Sequence, residues 1–196
     1  MCLRSFNLPG FFGLFSKTRG ADVTRIEKLA FIGSLTKIQG ATYVGSISGT
    51  VISATISEIY STGKLSGTSR VGCLIGIGHY LSVNNVFSSS ATSGISYIAG
   101  VIGELRYTAA SNILSTGFVS SDQSWSSGAI IGNSFETETS ATYWSRNSSG
   151  KETGTGSETE FRSSLSELQC PISESDETCI SEKVLYQGWD PTVWDF

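Results

Sequence analysis

The sequence predicts an all-β chain folded as a right-handed parallel β-solenoid of about five coils. Three observations carry this. The chain has 196 residues, and 35 Ser, 19 Thr and 22 Gly make up about two residues in five, with only 15% charged residues and three prolines. So few charged helix formers argue against a helical bundle, while 39% hydrophobic and 11% aromatic residues are too many for a disordered Ser/Gly linker. The second observation is an internal period. Ile47-Ser48-Gly49 recurs as Leu74-Ile75-Gly76, Val101-Ile102-Gly103 and Ile130-Ile131-Gly132, with glycine spacings of 27, 27 and 29. The third is an independent marker in the same register. Tyr60-Ser61-Thr62-Gly63, Phe87-Ser88-Ser89-Ser90, Leu114-Ser115-Thr116-Gly117 and Tyr143-Trp144 repeat the 27, 27 and 29 spacings.

The elements follow in chain order. A looser copy comes first: Gly13-Leu14-Phe15 matches the first marker. Ile26, Leu29, Gly33 and Leu35 match Ile56, Ile59, Gly63 and Leu65 at an offset of 30, which places three extra residues near Lys37-Ile38-Gln39. Each full unit then reads as three short strands broken by Gly, Ser and Asn. One is the apolar run before the marker glycine. A second ends in the aromatic, as in Ile56–Tyr60, Val83–Phe87 and Ala110–Leu114. A third follows the turn, as in Lys64-Leu65-Ser66 and Phe118-Val119-Ser120. The unit of 29 places its two extra residues around Ser121 to Ser126.

One such unit cannot bury its apolar residues alone. Stacked at about 4.8 Å, equivalent positions become interior ladders. Ile47, Leu74, Val101 and Ile130 are all aliphatic, and Ile59, Val86 and Ile113 are all β-branched. Gly49, Gly76, Gly103 and Gly132 are expected at a corner, where glycine supplies backbone freedom. Low charge fits too, since like charges repeated on every coil repel. The rival, a β-sandwich, favours Asn-Gly or Asp-Gly hairpins, and neither dipeptide occurs. The solenoid is assigned to residues 8–150 and an acidic, loop-rich capping segment to 151–196. Tyr143, Trp144, Trp189 and Trp194 are expected to cover its apolar end.

With the units aligned, the chain resembles the GLUG repeat of large bacterial surface and secreted proteins. Gly72-Cys73-Leu74-Ile75-Gly76, Gly100-Val101-Ile102-Gly103 and Gly128-Ala129-Ile130-Ile131-Gly132 are similar to its core. Tyr60-Ser61-Thr62-Gly63, Asn112-Ile113-Leu114-Ser115-Thr116-Gly117 and Leu65-Ser66-Gly67 are similar to its middle and end. Leu8-Pro9-Gly10-Phe11-Phe12-Gly13-Leu14-Phe15 resembles the phrase that opens such arrays. Tyr143-Trp144, followed by Ser145 in place of Asp, and Gly188-Trp189-Asp190 with Val193-Trp194-Asp195-Phe196 resemble their close. The repeated asparagine is present at Asn85 and Asn112 but is Glu58 in the second unit, which interrupts an asparagine ladder. The resemblance implies a secreted or cell-surface location and a non-catalytic structural or adhesion role, with a surface glycan or protein as partner on one solenoid face. A carbohydrate-binding or carbohydrate-active β-helix is the alternative. Only Met1 to Asn7 precede the opening phrase, so a truncated chain that self-associates through an open first coil is expected.

Charge and chemistry narrow the classes further. The net charge is −4: residues 1–43 carry +4, 44–150 carry −1 and 151–196 carry −7. That disfavours nucleic acid as a partner. No apolar run is long enough to span a bilayer as a helix, and no export signal core is visible. Cys2, Cys73, Cys170 and Cys179 fit no zinc spacing, and the single His79 cannot complete one. Cys170 and Cys179, separated by eight residues in a polar loop, are a candidate disulfide, and Cys73 is expected to be a small core residue. No nucleophile elbow or phosphate loop is present, so no catalytic residue, cofactor or metal site is assigned. Glu104 and Arg106 read as an exposed pair on one strand face, and His79 as a surface side chain beside an aromatic near a corner. Thr137-x-Thr139 occurs once only, which is too little for an ice-binding ladder, and Asn147-Ser148-Ser149 is a sequon by pattern alone.

Overall fold

The computed structural model describes residues 15–32, 37–159 and 162–167. The chain is a parallel β-solenoid of about five coils, made of three sheets. The largest sheet contains β1 (Phe15–Phe31), β4 (Ser48–Ser61), β7 (Ile75–Ser88), β10 (Ile102–Arg106), β11 (Ala109–Ser115), β14 (Ile131–Phe135), β15 (Glu138–Trp144), β16 (Thr155–Thr159) and β17 (Arg162–Glu167). The second sheet is β2 (Lys37–Gln39), β5 (Lys64–Ser66), β8 (Ala91–Gly94) and β12 (Val119–Ser121). The third is β3 (Thr42–Val44), β6 (Ser69–Gly72), β9 (Ser96–Ala99) and β13 (Ser127–Gly128). One turn of helix, α1 (Arg146–Ser149), follows β15. The Ser145 hydroxyl caps it by accepting a hydrogen bond from the Ser148 N–H.

The register bears out the period. β4 pairs with β7 through Ile56↔Val83 and Ile59↔Val86, an offset of 27. Ile26↔Ile56 and Leu29↔Ile59 carry the offset of 30 in the looser first unit. Lys37↔Lys64 and Ile38↔Leu65 have already returned to 27. The three extra residues therefore lie between Phe31 and Lys37, ahead of the strand that the sequence placed them on. Ser121↔Gly94 keeps the offset of 27 and Ser127↔Ile98 has 29, so the two extra residues fall where the sequence puts them. The large sheet continues past residue 150, where Ile131↔Thr155 and Glu138↔Arg162 shorten the offset to 24.

Two apolar columns behave as expected. Ile47, Leu74, Val101 and Ile130 are fully buried, as are Ile59, Val86 and Ile113. They belong to the main core, and a second small core of Ile38, Val44, Leu65, Val71, Ile98 and Val119 lies apart from it. Trp144 belongs to the main core, and β17 continues the stack beyond it through Trp144↔Glu167. Trp144 occupies the column of Ser61, Ser88 and Ser115, so an indole replaces a row of small side chains, and its N–H donates to the Lys151 carbonyl at 3.3 Å.

The strand pattern differs from expectation in one respect. The apolar run before each marker glycine is not a strand of its own. Val71–Ile75 is split by a corner, with β6 ending at Gly72 and β7 starting at Ile75, and β7 then runs on through the aromatic. Nor do the marker glycines supply left-handed corners: none of Gly49, Gly76, Gly103 and Gly132 has positive φ. Gly76, Gly103 and Gly132 permit close approach instead. A Cβ on Gly103 would lie 2.6 Å from the Arg70 carbonyl carbon and 2.6 Å from the Gly76 oxygen. One on Gly132 would meet Gly103 and Tyr97 backbone at 2.6 Å.

The left-handed bends belong to other residues, and they too form columns. Glu58, Asn85, Asn112 and Ala141 have φ between 46° and 57°, continuing from Lys28 at 56°. Ser53, Tyr80, Tyr107 and Glu136 form a second column, and Tyr43, Arg70 and Tyr97 a third. A non-glycine residue there costs roughly 1–2 kcal/mol. Contacts along each column offset that cost. Tyr80 stacks on Tyr107 at 5.0 Å, Asn112 donates its amide to Asn85 at 3.1 Å, and the Arg70 guanidinium lies between the Tyr43 and Tyr97 rings. The asparagine ladder thus exists over two rungs, in spite of Glu58.

Candidate functional site

Two places on the solenoid surface gather side chains capable of recognition. The first is centred on Glu104. Alternation along β10 would turn this residue outward, yet its side chain is fully buried. The reason is the third left-handed column. Arg70 bends out of the chain beside β10, and its Nε donates to Glu104 Oε2 at 2.5 Å. Arg106, two residues along the same strand, donates to Oε1 from Nε at 2.6 Å and from a terminal nitrogen at 2.5 Å. This corrects the sequence reading of an exposed Glu104–Arg106 pair, since the deciding partner is 34 residues away in sequence.

Aromatic rings frame this cluster. The Arg70 guanidinium carbon is 5.4 Å from the Tyr43 ring centroid and 4.9 Å from that of Tyr97. Trp125, within the two-residue insertion, meets Tyr97 edge-on at 6.4 Å. On the other side Phe135 meets the exposed Tyr107 edge-on at 5.4 Å. His79 pairs in register with Arg106 and is half-buried. Burial lowers its pKa, the Arg106 charge lowers it further and Glu104 pulls the other way, so the imidazole is neutral near pH 7.

Both Glu104 oxygens are occupied by guanidinium groups and closed to solvent, so this carboxylate cannot reach a substrate as acid, base or nucleophile. Cys73 is buried, as expected. Burial raises its thiol pKa, opposed by the Ser61, Ser88 and Ser90 hydroxyls, which makes it a poor nucleophile. Among the described residues no group of three His, Cys, Asp or Glu stands close enough to hold a metal, and no helix is long and apolar enough to cross a membrane.

The second place lies on the outward face of the second sheet. A shallow depression of about 200 Å³ is lined there by Lys37, Lys64, Ala91 and Phe118 in one row and Ser66, Ser93 and Ser120 in the next. Period-two alternation puts Ile38, Leu65, Thr92 and Val119 on the inner side of the same strands. Lys37 and Lys64 are direct partners on adjacent coils and both are exposed. Phe118 stands 56% exposed at the far end of the row.

No protein-family model matches this chain, and no curated protein or solved structure matches it. The GLUG resemblance therefore rests on the motifs and their phase.

The four marker glycines all lie in the large sheet, and Tyr143 and Trp144 end β15. Cys170, Cys179, Trp189 and Trp194, with the opening phrase at 8–14 and the expected open first coil, lie outside the described residues. The sequence reading missed the burial of Glu104 and the lysine row. Both become visible once columns are read as well as units, because Tyr43, Arg70 and Tyr97 share one column and Lys37 and Lys64 another.

Proposed function

We propose that this chain is a non-catalytic structural and adhesion-type repeat module of a bacterial surface or secreted protein. The observation that carries the reading is the sequestered Glu104. Among the described residues the most deeply set carboxylate is spent on holding two neighbouring coils together through Arg70, which spans from β6 to β10. The outward rows offer repeated hydroxyls and aromatic rings, groups suited to recognition rather than bond cleavage. The GLUG resemblance supplies the bacterial surface and the export.

A polysaccharide-cleavage screen run beside a glycan array tests this. The expected result is retention on one or more surfaces with no product. Release of new reducing or unsaturated ends would overturn the proposal and favour the carbohydrate-active alternative.

A further inference from the structure

We infer that the depression on the second sheet binds a linear anionic polysaccharide, a chain bearing carboxylate or sulfate groups. The inference rests on the adhesion reading and gives it a ligand class and a face.

Charge is the first argument. Lys37 and Lys64 sit directly opposite each other on neighbouring coils, a pairing of like charges that is unfavourable in a sheet. Among the described residues neither forms an ion pair with a carboxylate, and no acidic side chain lines the depression. In a chain of net charge −4, two cations thus stand together without a carboxylate partner among the described residues. An anion bridging them removes the repulsion.

The second argument is a row of hydroxyl residues beside the lysines: Ser66, Ser93 and Ser120, one per coil, line the depression.

The third argument is shape and repeat. Ala91 leaves the floor low, and Phe118 ends the row with a ring held against Gly150, where a built Cβ would come within 3.1 Å of the ring. Lys37 to Phe118 covers three coil steps, about 14 Å at the usual strand spacing. A pyranose chain laid along the solenoid axis advances about one sugar per coil, so successive rings meet successive coils and the last stacks on Phe118. An extended acidic peptide repeats same-side groups about every 6.8 Å and falls out of step with coils about 4.8 Å apart. Nucleic acid gains little from two lysines.

The test is titration calorimetry on the full chain. The probes are a uronic-acid oligosaccharide, a sulfated oligosaccharide, a neutral oligosaccharide of equal length and poly-glutamate. One or both anionic sugars are expected to bind, with affinity falling as salt rises, and the neutral sugar at least tenfold more weakly. The pair K37E and K64E together should reduce binding at least tenfold with unchanged thermal unfolding, and F118A should weaken it without changing the salt slope. These side chains are at the surface, and K37S with K64S gives a second, milder variant. Two results would overturn the inference: no binding of either anionic sugar, or poly-glutamate binding as tightly as the sugars. Failure here leaves the adhesion reading standing if the array finds another glycan. Cleavage of a bound sugar would instead sink the adhesion reading and leave the site in place.

Discussion

Replacing Glu58 with asparagine should stabilise the solenoid, although it removes an ion pair. Glu58 lies one coil before Asn85, flanked by the pairs Ser57↔Asn84 and Ile59↔Val86. Its φ is 57°, a bend that asparagine accepts more readily than glutamate, so the change recovers part of the roughly 1–2 kcal/mol that a non-glycine residue loses there. Glu58 Oε2 is buried without a hydrogen-bond partner, and Lys28 approaches only to 3.8 Å. An asparagine would donate to or accept from Asn85, extending the Asn85–Asn112 contact by a rung worth about 1 kcal/mol. Against this stands the Lys28 pair, worth at most about 1 kcal/mol because the lysine is 64% exposed. The balance is about 1–2 kcal/mol in favour of E58N, or a rise of about 2–8 °C in Tm for a chain of this size. Thermal unfolding followed by circular dichroism reads it, in wild-type and N85A backgrounds. The reasoning fails if E58N leaves Tm unchanged or lowers it. It fails equally if the gain is as large in N85A, because the added rung would then play no part.

The other predictions concern the walls and the core. G103A should cost about 3 kcal/mol or more in denaturant unfolding, since the new methyl meets only backbone of Arg70, Val71 and Gly76, which cannot turn aside. T92V should raise stability by about 1 kcal/mol: the Thr92 hydroxyl is buried without a partner beside Leu65 and Val119, and valine keeps its shape. E104Q should cost about 2–3 kcal/mol, less than the about 3–5 of a fully buried pair, because Arg70 and Arg106 keep 24% and 41% of their exposure. By removing the charge that favours imidazolium, it should also lower the His79 pKa further in an NMR titration. With its folded pKa already below the ordinary value of about 6.5, His79 binds a proton more weakly in the folded state. Stability should therefore fall as pH drops from about 6.5 toward the folded value, and H79N should flatten that slope.

The sequence disclosed the coil because a period of 27 imposes itself on every column at once. Aliphatic identity at Ile47, Leu74, Val101 and Ile130 is a strong signal, since a polar side chain in that ladder would be stranded in the core. The corners were hidden because their chemistry runs across coils and not along the chain. Tyr80 alone gives no hint of a left-handed bend, and what holds it there is Tyr107, one coil later. The glycines suggested backbone freedom where they serve close approach, for a related reason. Glycine serves both positive φ and close backbone approach, and the local sequence does not separate them. Glu104 looked exposed because alternation within one strand says nothing of an arginine that reaches over from the preceding coil.

The regular register has a mechanical consequence. Among the described residues each coil is joined to the next by a parallel ladder of similar length in the large sheet, so under tension applied at the chain ends that sheet anchors no coil much more firmly than its neighbours. Such a stack pays out from an end, one coil at a time. Each release frees 24 to 30 residues, about 80–100 Å of extended chain, while the remaining stack stays folded. A tether built this way lengthens in steps of similar size and absorbs work at each one.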